Sequence, residues 1–267
     1  MKVTALQKVK GSLTKLMLAM LLGGAVLSAS PARAAELLVS AAASLNDAFT
    51  ELATLFEQEN PGVKVIGNFA SSGALYRQLA QGAPADVFAS ANPRWMAEAI
   101  GRGLVQREES HQFVTNDLVL AVPAAGRVTI SDLGDLKSPA VTRVGIGTPE
   151  TVPAGRYARD ALEAAGIWHE LTGKMIFGEN VRQVLDYLRR GEVDAGFVYA
   201  TDAVKGGEAV QVVEIMPSDE EPAYLIAPLA GGRQPELARR FVELSVSERG
   251  EAILARHGFK PVAGATD

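Results

Sequence analysis

The sequence predicts an α/β fold of mostly parallel sheets flanked by helices, divided into two lobes joined by two crossing segments. Three observations carry this. Short apolar, β-type segments alternate with stretches of helical periodicity from Leu37 to Tyr199. A serine, glycine or asparagine repeatedly stands where a strand ends and a helix begins. The alternation breaks near Val122-Pro123 and ends with two strand-like runs, the second of which is expected to return the chain to the first set of elements. The expected division is a leader at 1–34, one lobe from 35–116 and 225–267, and a second lobe from 117–224.

The leader is read from Lys2, Lys8, Lys10 and Lys15, followed by an apolar stretch from Leu16 to Leu27 and the A-x-A form of Ala32-Arg33-Ala34. That is the form of a cleaved secretory signal, with the mature chain expected to begin at Ala35 in the periplasm. The apolar stretch is too short to span a bilayer, so no membrane anchor is expected after cleavage. The five basic residues of the segment leave with it and no acid does, so the formal charge moves from −5 to −10. Such a chain does not bind nucleic acid through a basic field. There is no cysteine, which excludes disulfides, thiolate metal sites and a lipid-modified cysteine.

The elements follow in order. Leu37-Leu38-Val39 reads as the first strand, leading through Ser44 into a helix whose apolar residues recur to Phe56, before Asn60-Pro61-Gly62. Ser44 reads as that helix's N-cap, with Asp47 as a capping-box variant. Val63 to Phe69 is a strand, Ser71-Ser72 repeats the strand, serine, helix arrangement, and the helix stops at Gly82. Ala85 to Ser90 is a strand, with a helix from Pro93 to Ile100. Asp117 to Pro123 is the crossing strand. Thr142 to Gly147 leads into a helix from Ala154 to Ala165. Met175 to Phe177 precedes Asn180, the expected cap of a helix from Val181 to Arg190. Strands are expected at Asp194 to Tyr199, Val210 to Ile215 and Ala223 to Pro228. Pro235 to Val246 and Ser247 to Arg256 are closing helices, with Gly258 just past the last.

Strand ends that feed helix starts are where such folds bind anions, because first-turn N–H groups lack partners and carry partial positive charge. Other chemistry is scarce. Gly145-x-Gly147 lacks the third glycine of a dinucleotide fingerprint, with Glu150 standing in its place. His111, His169 and His257 have no metal-spaced partners, Glu108-Glu109 and Glu220-Glu221 read as solvated pairs, and Trp95 and Trp168 as packing residues. No catalytic set, resident metal or cofactor is expected.

Several motifs carry a family resemblance over nearly all of the expected mature chain. They are Ala41-Ala42-Ala43-Ser44-Leu45, Phe69-Ala70-Ser71-Ser72, Gly82-Ala83-Pro84-Ala85-Asp86-Val87-Phe88, Val152-Pro153-Ala154-Gly155-x-Tyr157-Ala158 and Gly196-Phe197-Val198-Tyr199-x-x-Asp202-Ala203. In these the chain resembles the periplasmic molybdate-binding proteins that serve ABC importers. The resemblance implies the type II periplasmic-binding-protein fold, whose two lobes close over an oxyanion. It also implies delivery of molybdate, and of tungstate, to an inner-membrane ABC permease, by a monomer that is not an enzyme. Carried over by motif, the ligand contacts fall on Ser44, Ser72, Ala154, Val181 and Tyr199. Val181 is placed by its Asn180-Val181-Arg182 context, and Gly73 stands where relatives often carry a further serine. All five positions offer neutral donors, which suits an anion that only accepts hydrogen bonds. The alternatives are a receptor for another tetrahedral oxyanion such as sulfate, an exported hydrolase with Ser44 or Ser72 as nucleophile, and a sensing module without a transport role.

Overall fold

Two five-stranded sheets organise the chain, and the segments that pass between them position everything else. The computed structural model describes residues 35–217 and 221–262; the expected leader at 1–34 and Glu220 lie outside the described residues.

The first sheet has the order β2-β1-β3-β10-β4, from β1 (Ala35–Ala42), β2 (Val63–Ala70), β3 (Val87–Ser90), β4 (His111–Thr115) and β10 (Ala223–Pro228). The second has the order β7-β6-β8-β5-β9, from β5 (Leu118–Pro123), β6 (Val144–Gly147), β7 (Met175–Gly178), β8 (Ala195–Tyr199) and β9 (Val210–Ile215). The chain crosses from first sheet to second at Asn116-Asp117 and returns between β9 and β10. Parallel pairing holds for β1 with β2 and β3, and for β6 with β7 and β8. β10 and β5, which follow the two crossings, run antiparallel to their neighbours, so each sheet is mixed.

Helices cover both faces. In the first sheet they are α1 (Asn46–Glu59), α2 (Ser72–Ala80), α3 (Pro93–Gly101), α8 (Pro235–Ser245) and α9 (Glu248–Arg256). In the second they are α4 (Pro153–Ala164), the single turn α5 (Trp168–Leu171), α6 (Val181–Arg189) and α7 (Ala200–Gly206). The period-2 alternation of the strands divides the core. Leu37, Val39 and Ala41 of β1, Val87 and Ala89 of β3, and Tyr224 and Ile226 of β10 face a core shared with Phe49, Phe56 and Phe241. Their alternates Leu38, Phe88, Leu225 and Ala227 face the other side, against Leu75, Leu79, Trp95 and Met96. Among the phenylalanines, Phe49 and Phe56 both meet Phe241 edge-on, at 5.8 and 5.4 Å between centroids.

The structure corrects several local expectations. Ser44 caps nothing: a 3-10 turn, Ala43–Leu45, intervenes between β1 and α1, and its hydroxyl and the Asp47 carboxylate both bond elsewhere. Asn92, Asn180 and Ser247 do cap, accepting from the N–H groups of Trp95, Gln183 and Gly250. β4 was not expected. It is an edge strand whose first two residues, His111 and Gln112, are exposed, so it lacks an apolar run. α7 was not expected either, because its Val204 points outward at 66% exposure and breaks the apolar stripe. Glu109 is not merely solvated; it pairs with Arg239 at 2.8 Å. Gly147, read in the sequence as part of an incomplete nucleotide fingerprint, serves packing: a Cβ on Gly155 would collide with the Gly147 carbonyl, so the glycine pair seats the start of α4 directly on β6.

Candidate functional site

Ser44, Ser72, Ala154, Val181 and Tyr199 all line one small, nearly closed cavity of about 10 Å³ between elements of the two sheets. Each arrives by the same device. β1 delivers Ser44 through the 3-10 turn, β2 delivers Ser72 at the first position of α2, and Pro153 at the first position of α4 precedes Ala154. Val181 opens α6 behind its Asn180 cap, and Tyr199 ends β8. All five are buried. Ala154 and Val181 have no polar side chain, but in a first helical turn their N–H groups lack intrahelical acceptors. No Lys, Arg, Asp or Glu is among the described residues lining the cavity.

The hydroxyls are held by specific partners. Ser44 Oγ lies 2.9 Å from Tyr224 Oη. Ser72 Oγ accepts from the Ala91 N–H at 3.0 Å. Tyr199 Oη makes a long contact with the Ala91 carbonyl at 3.5 Å and is also hydrogen-bonded to the Tyr224 side chain. Its backbone N–H donates to the Asp202 carboxylate at 3.2 Å, fixing the strand end against α7. Burial pushes the Tyr199 hydroxyl well above the usual tyrosine range, reinforced by neighbouring Tyr224, Tyr157 and Asp202, so it stays protonated.

Just outside the cavity, charged groups tie the two sets of elements together. Arg182 donates to Asp47 at 2.7 Å and to the Ser44 carbonyl at 3.1 Å, while Lys205 donates to Asp47 at 2.6 Å. The Arg182 Nε faces Asp202 at 2.7 Å, ion-paired but out of line for a hydrogen bond. Burial tends to raise the Asp47 carboxyl, but the Lys205 and Arg182 contacts outweigh it and hold it low. Asp202, fully buried, is pushed up from 3.8 to about 6 by burial, against the pull of Arg182 and the Tyr199 N–H. A backbone bond also crosses, from the Gly73 N–H to the Thr151 carbonyl at 3.0 Å.

The sequence reading missed Asn116, Thr151, Arg182, Asp202 and Tyr224. Two quoted contexts, Tyr199-x-x-Asp202 and Asn180-Val181-Arg182, contained Asp202 and Arg182 without assigning either a role.

Two α/β sheets thus meet over a cavity lined by hydroxyl and backbone donors, a concave site of the kind that holds a small ligand. Residues 37–260 match the family model of bacterial extracellular solute-binding proteins, and the chain belongs to that family. It is 34% identical over 251 residues to the molybdate-binding protein ModA of Haemophilus influenzae, covering 92% of this chain and 98% of that one. It is 35% identical over 231 residues to ModA of Escherichia coli, covering 84% and 88%. The solved periplasmic molybdate-binding protein of Azotobacter vinelandii superposes with a TM-score of 0.72 at 20% identity, covering 84% of this chain and 98% of that one; it shares the two-lobed fold.

Proposed function

We propose that this protein is a periplasmic receptor that binds molybdate, and tungstate, and delivers it to an inner-membrane ABC permease as a monomer. The expected leader at 1–34 would be removed on export. The lobes are 35–116 with 225–267, and 117–224, a division that the membership of the two sheets supports except at Ala223 and Tyr224, which open β10 of the first sheet. Ser44, Ser72, Ala154, Val181 and Tyr199 donate to the oxyanion, which is cargo rather than cofactor.

One observation carries the reading: five neutral donor positions converge on one small cavity lined by no formal charge. A fully ionised tetrahedral anion only accepts hydrogen bonds, and this lining supplies donors without a carboxylate to take a proton from the ligand. Hydrogen bonds to a charged acceptor contribute roughly 1.5–3 kcal/mol each. Five to seven of them cover the roughly 8–12 kcal/mol of a micromolar-to-nanomolar complex after association is charged against them. The names of the ModA relatives support the choice of anion.

Calorimetry of the protein with molybdate, tungstate, sulfate, phosphate and chromate tests this. Molybdate and tungstate are expected to bind far more tightly than sulfate. Sulfate binding as tightly as molybdate would overturn the specificity, and hydrolysis of a chromogenic ester would favour an enzyme.

A further inference from the structure

The two serines of the cavity share a constraint that follows from proton counting. A serine hydroxyl has one proton and two acceptor positions. An acceptor-only ligand needs that proton, so each serine must receive its protein hydrogen bond rather than give it. Ser72 meets this directly, since a backbone N–H can only donate and Ala91 N–H does so to its Oγ. Ser44 faces another hydroxyl, Tyr224 Oη, and either oxygen could be the donor.

The surroundings of Tyr224 decide the direction. Asn116, 1% exposed, accepts the Asp117 N–H on its Oδ1 at 3.0 Å. That bond fixes the amide, because a nitrogen in the same place could not accept. The Asn116 Nδ2 therefore points the other way, donating to Thr201 Oγ1 at 2.9 Å and reaching Tyr224 Oη at 3.4 Å. Asn116 approaches Tyr224 as a donor, the hydrogen bond from Tyr199 favours the protonated form of Tyr199 and so places it as a donor too, and the acceptor left for the Tyr224 proton is Ser44 Oγ at 2.9 Å. Burial holds the Tyr224 hydroxyl far above the usual tyrosine range, so the proton is always there to give.

We infer that Asn116 and Tyr224 are positioning residues for the anion: they form a one-way relay, Asn116 to Tyr224 to Ser44, that aims the Ser44 hydroxyl proton into the cavity. Neither touches the ligand. Their place in the chain gives the relay a second property. Asn116 lies on the outgoing crossing and Tyr224 on β10 after the return, and the two crossings are joined by the Asn116 N–H to the Pro222 carbonyl at 3.0 Å. The donor orientation at Ser44 is thus set from the hinge, so it holds whether or not the second lobe has closed. The inference rests on the anion-binding reading and adds to it how one donor is preset.

The test is a double-mutant cycle of Ser44→Ala and Tyr224→Phe, read as molybdate affinity by calorimetry, with thermal unfolding of the ligand-free proteins alongside. Tyr224→Phe keeps the ring and is expected to weaken binding about three- to tenfold, as the Ser44 proton loses its preset direction. On the Ser44→Ala background the same change should weaken binding by less than about twofold, since it acts only through Ser44. A merely structural role would give equal losses on both backgrounds, and that result overturns the relay. So does unchanged affinity in Tyr224→Phe while the wild type binds. A wild-type protein that gives no heat with molybdate overturns the reading beneath it and the relay together. Should Tyr224→Phe fail to fold, wild-type protein labelled with carbon-13 tyrosine answers by proton NMR in water. The relay requires a slowly exchanging hydroxyl proton coupled to the Tyr224 ring carbons in the molybdate complex, and its assignment to Ser44 instead would overturn it.

Discussion

At the scale of single residues, the contrast between Ser44 and Arg182 is instructive. Ser44 looked like an ordinary helix cap from its neighbours in sequence, yet its hydroxyl bonds a residue 180 positions away. Ser44→Ala and Ser72→Ala are each expected to lower molybdate affinity about ten- to a hundredfold, the loss of one hydrogen bond to a charged acceptor. Calorimetry checks this, and unchanged affinity in both would remove them from the site. Arg182 follows Val181 but serves Asp47 and the buried Asp202. Arg182→Ala leaves Asp202 without its cation and is expected to cost about 3–5 kcal/mol of stability near neutral pH. The pH dependence has a definite sign. The folded-state pKa of Asp202 lies above its ordinary 3.8, so the folded protein holds that proton more tightly than the unfolded chain. Stability at this site is therefore favoured at low pH and lost as pH rises toward and through about 6. Without Arg182 the pKa rises further, so the deficit of the variant should be largest at pH 8 and shrink by pH 5. Urea unfolding at the two pH values checks it; a deficit independent of pH would mean that Asp202 is not what Arg182 neutralises.

At the scale of elements, the start of α2 is where elements of the two sheets meet through a backbone hydrogen bond. Gly73 donates its N–H to the Thr151 carbonyl. A Cβ there would stand 2.6 Å from the Trp95 ring and 2.8 Å from both Thr151 Cα and its carbonyl oxygen. The missing serine noted in the sequence thus has a steric reason in this chain: the backbone itself makes the contact. Gly73→Ala is expected to weaken molybdate binding by the roughly 1–3 kcal/mol of an overpacked contact. Small-angle scattering should show less compaction on adding molybdate than in the wild type, and equal compaction would show that the contact is not limiting. The same scale explains what could be read beforehand. Val210–Ile215 and Ala223–Pro228 were legible because apolar runs bounded by polar turns announce strands. The half-exposed edge strand β4 and the short α7 with its outward Val204 carry no such pattern. The five candidate contacts were legible through the motifs of the family resemblance, and each of those motifs spans a local strand-to-helix junction. Their partners Tyr224 and Asn116 were not, because distant elements bring them together.

At the scale of the whole molecule, no donor in the cavity titrates near neutrality. Tyr199 is held above its usual range, and the other donors are serines and amides. Molybdate affinity is therefore expected to be flat between about pH 7 and 9. Titration calorimetry across that window checks it, and a steep change would expose a group that the cavity lining does not contain.

The uncharged lining of the cavity also bears on how fast an anion arrives. The chain carries a formal −5 and would reach −10 if residues 1–34 were removed, with no local cation in the cavity to reverse the field. A doubly charged guest thus approaches uphill. Background electrolyte weakens that repulsion beyond a Debye length of about 10 Å at 0.1 M. Capture rates followed by stopped flow should consequently climb with ionic strength, the reverse of receptors that draw anions in with arginine or lysine.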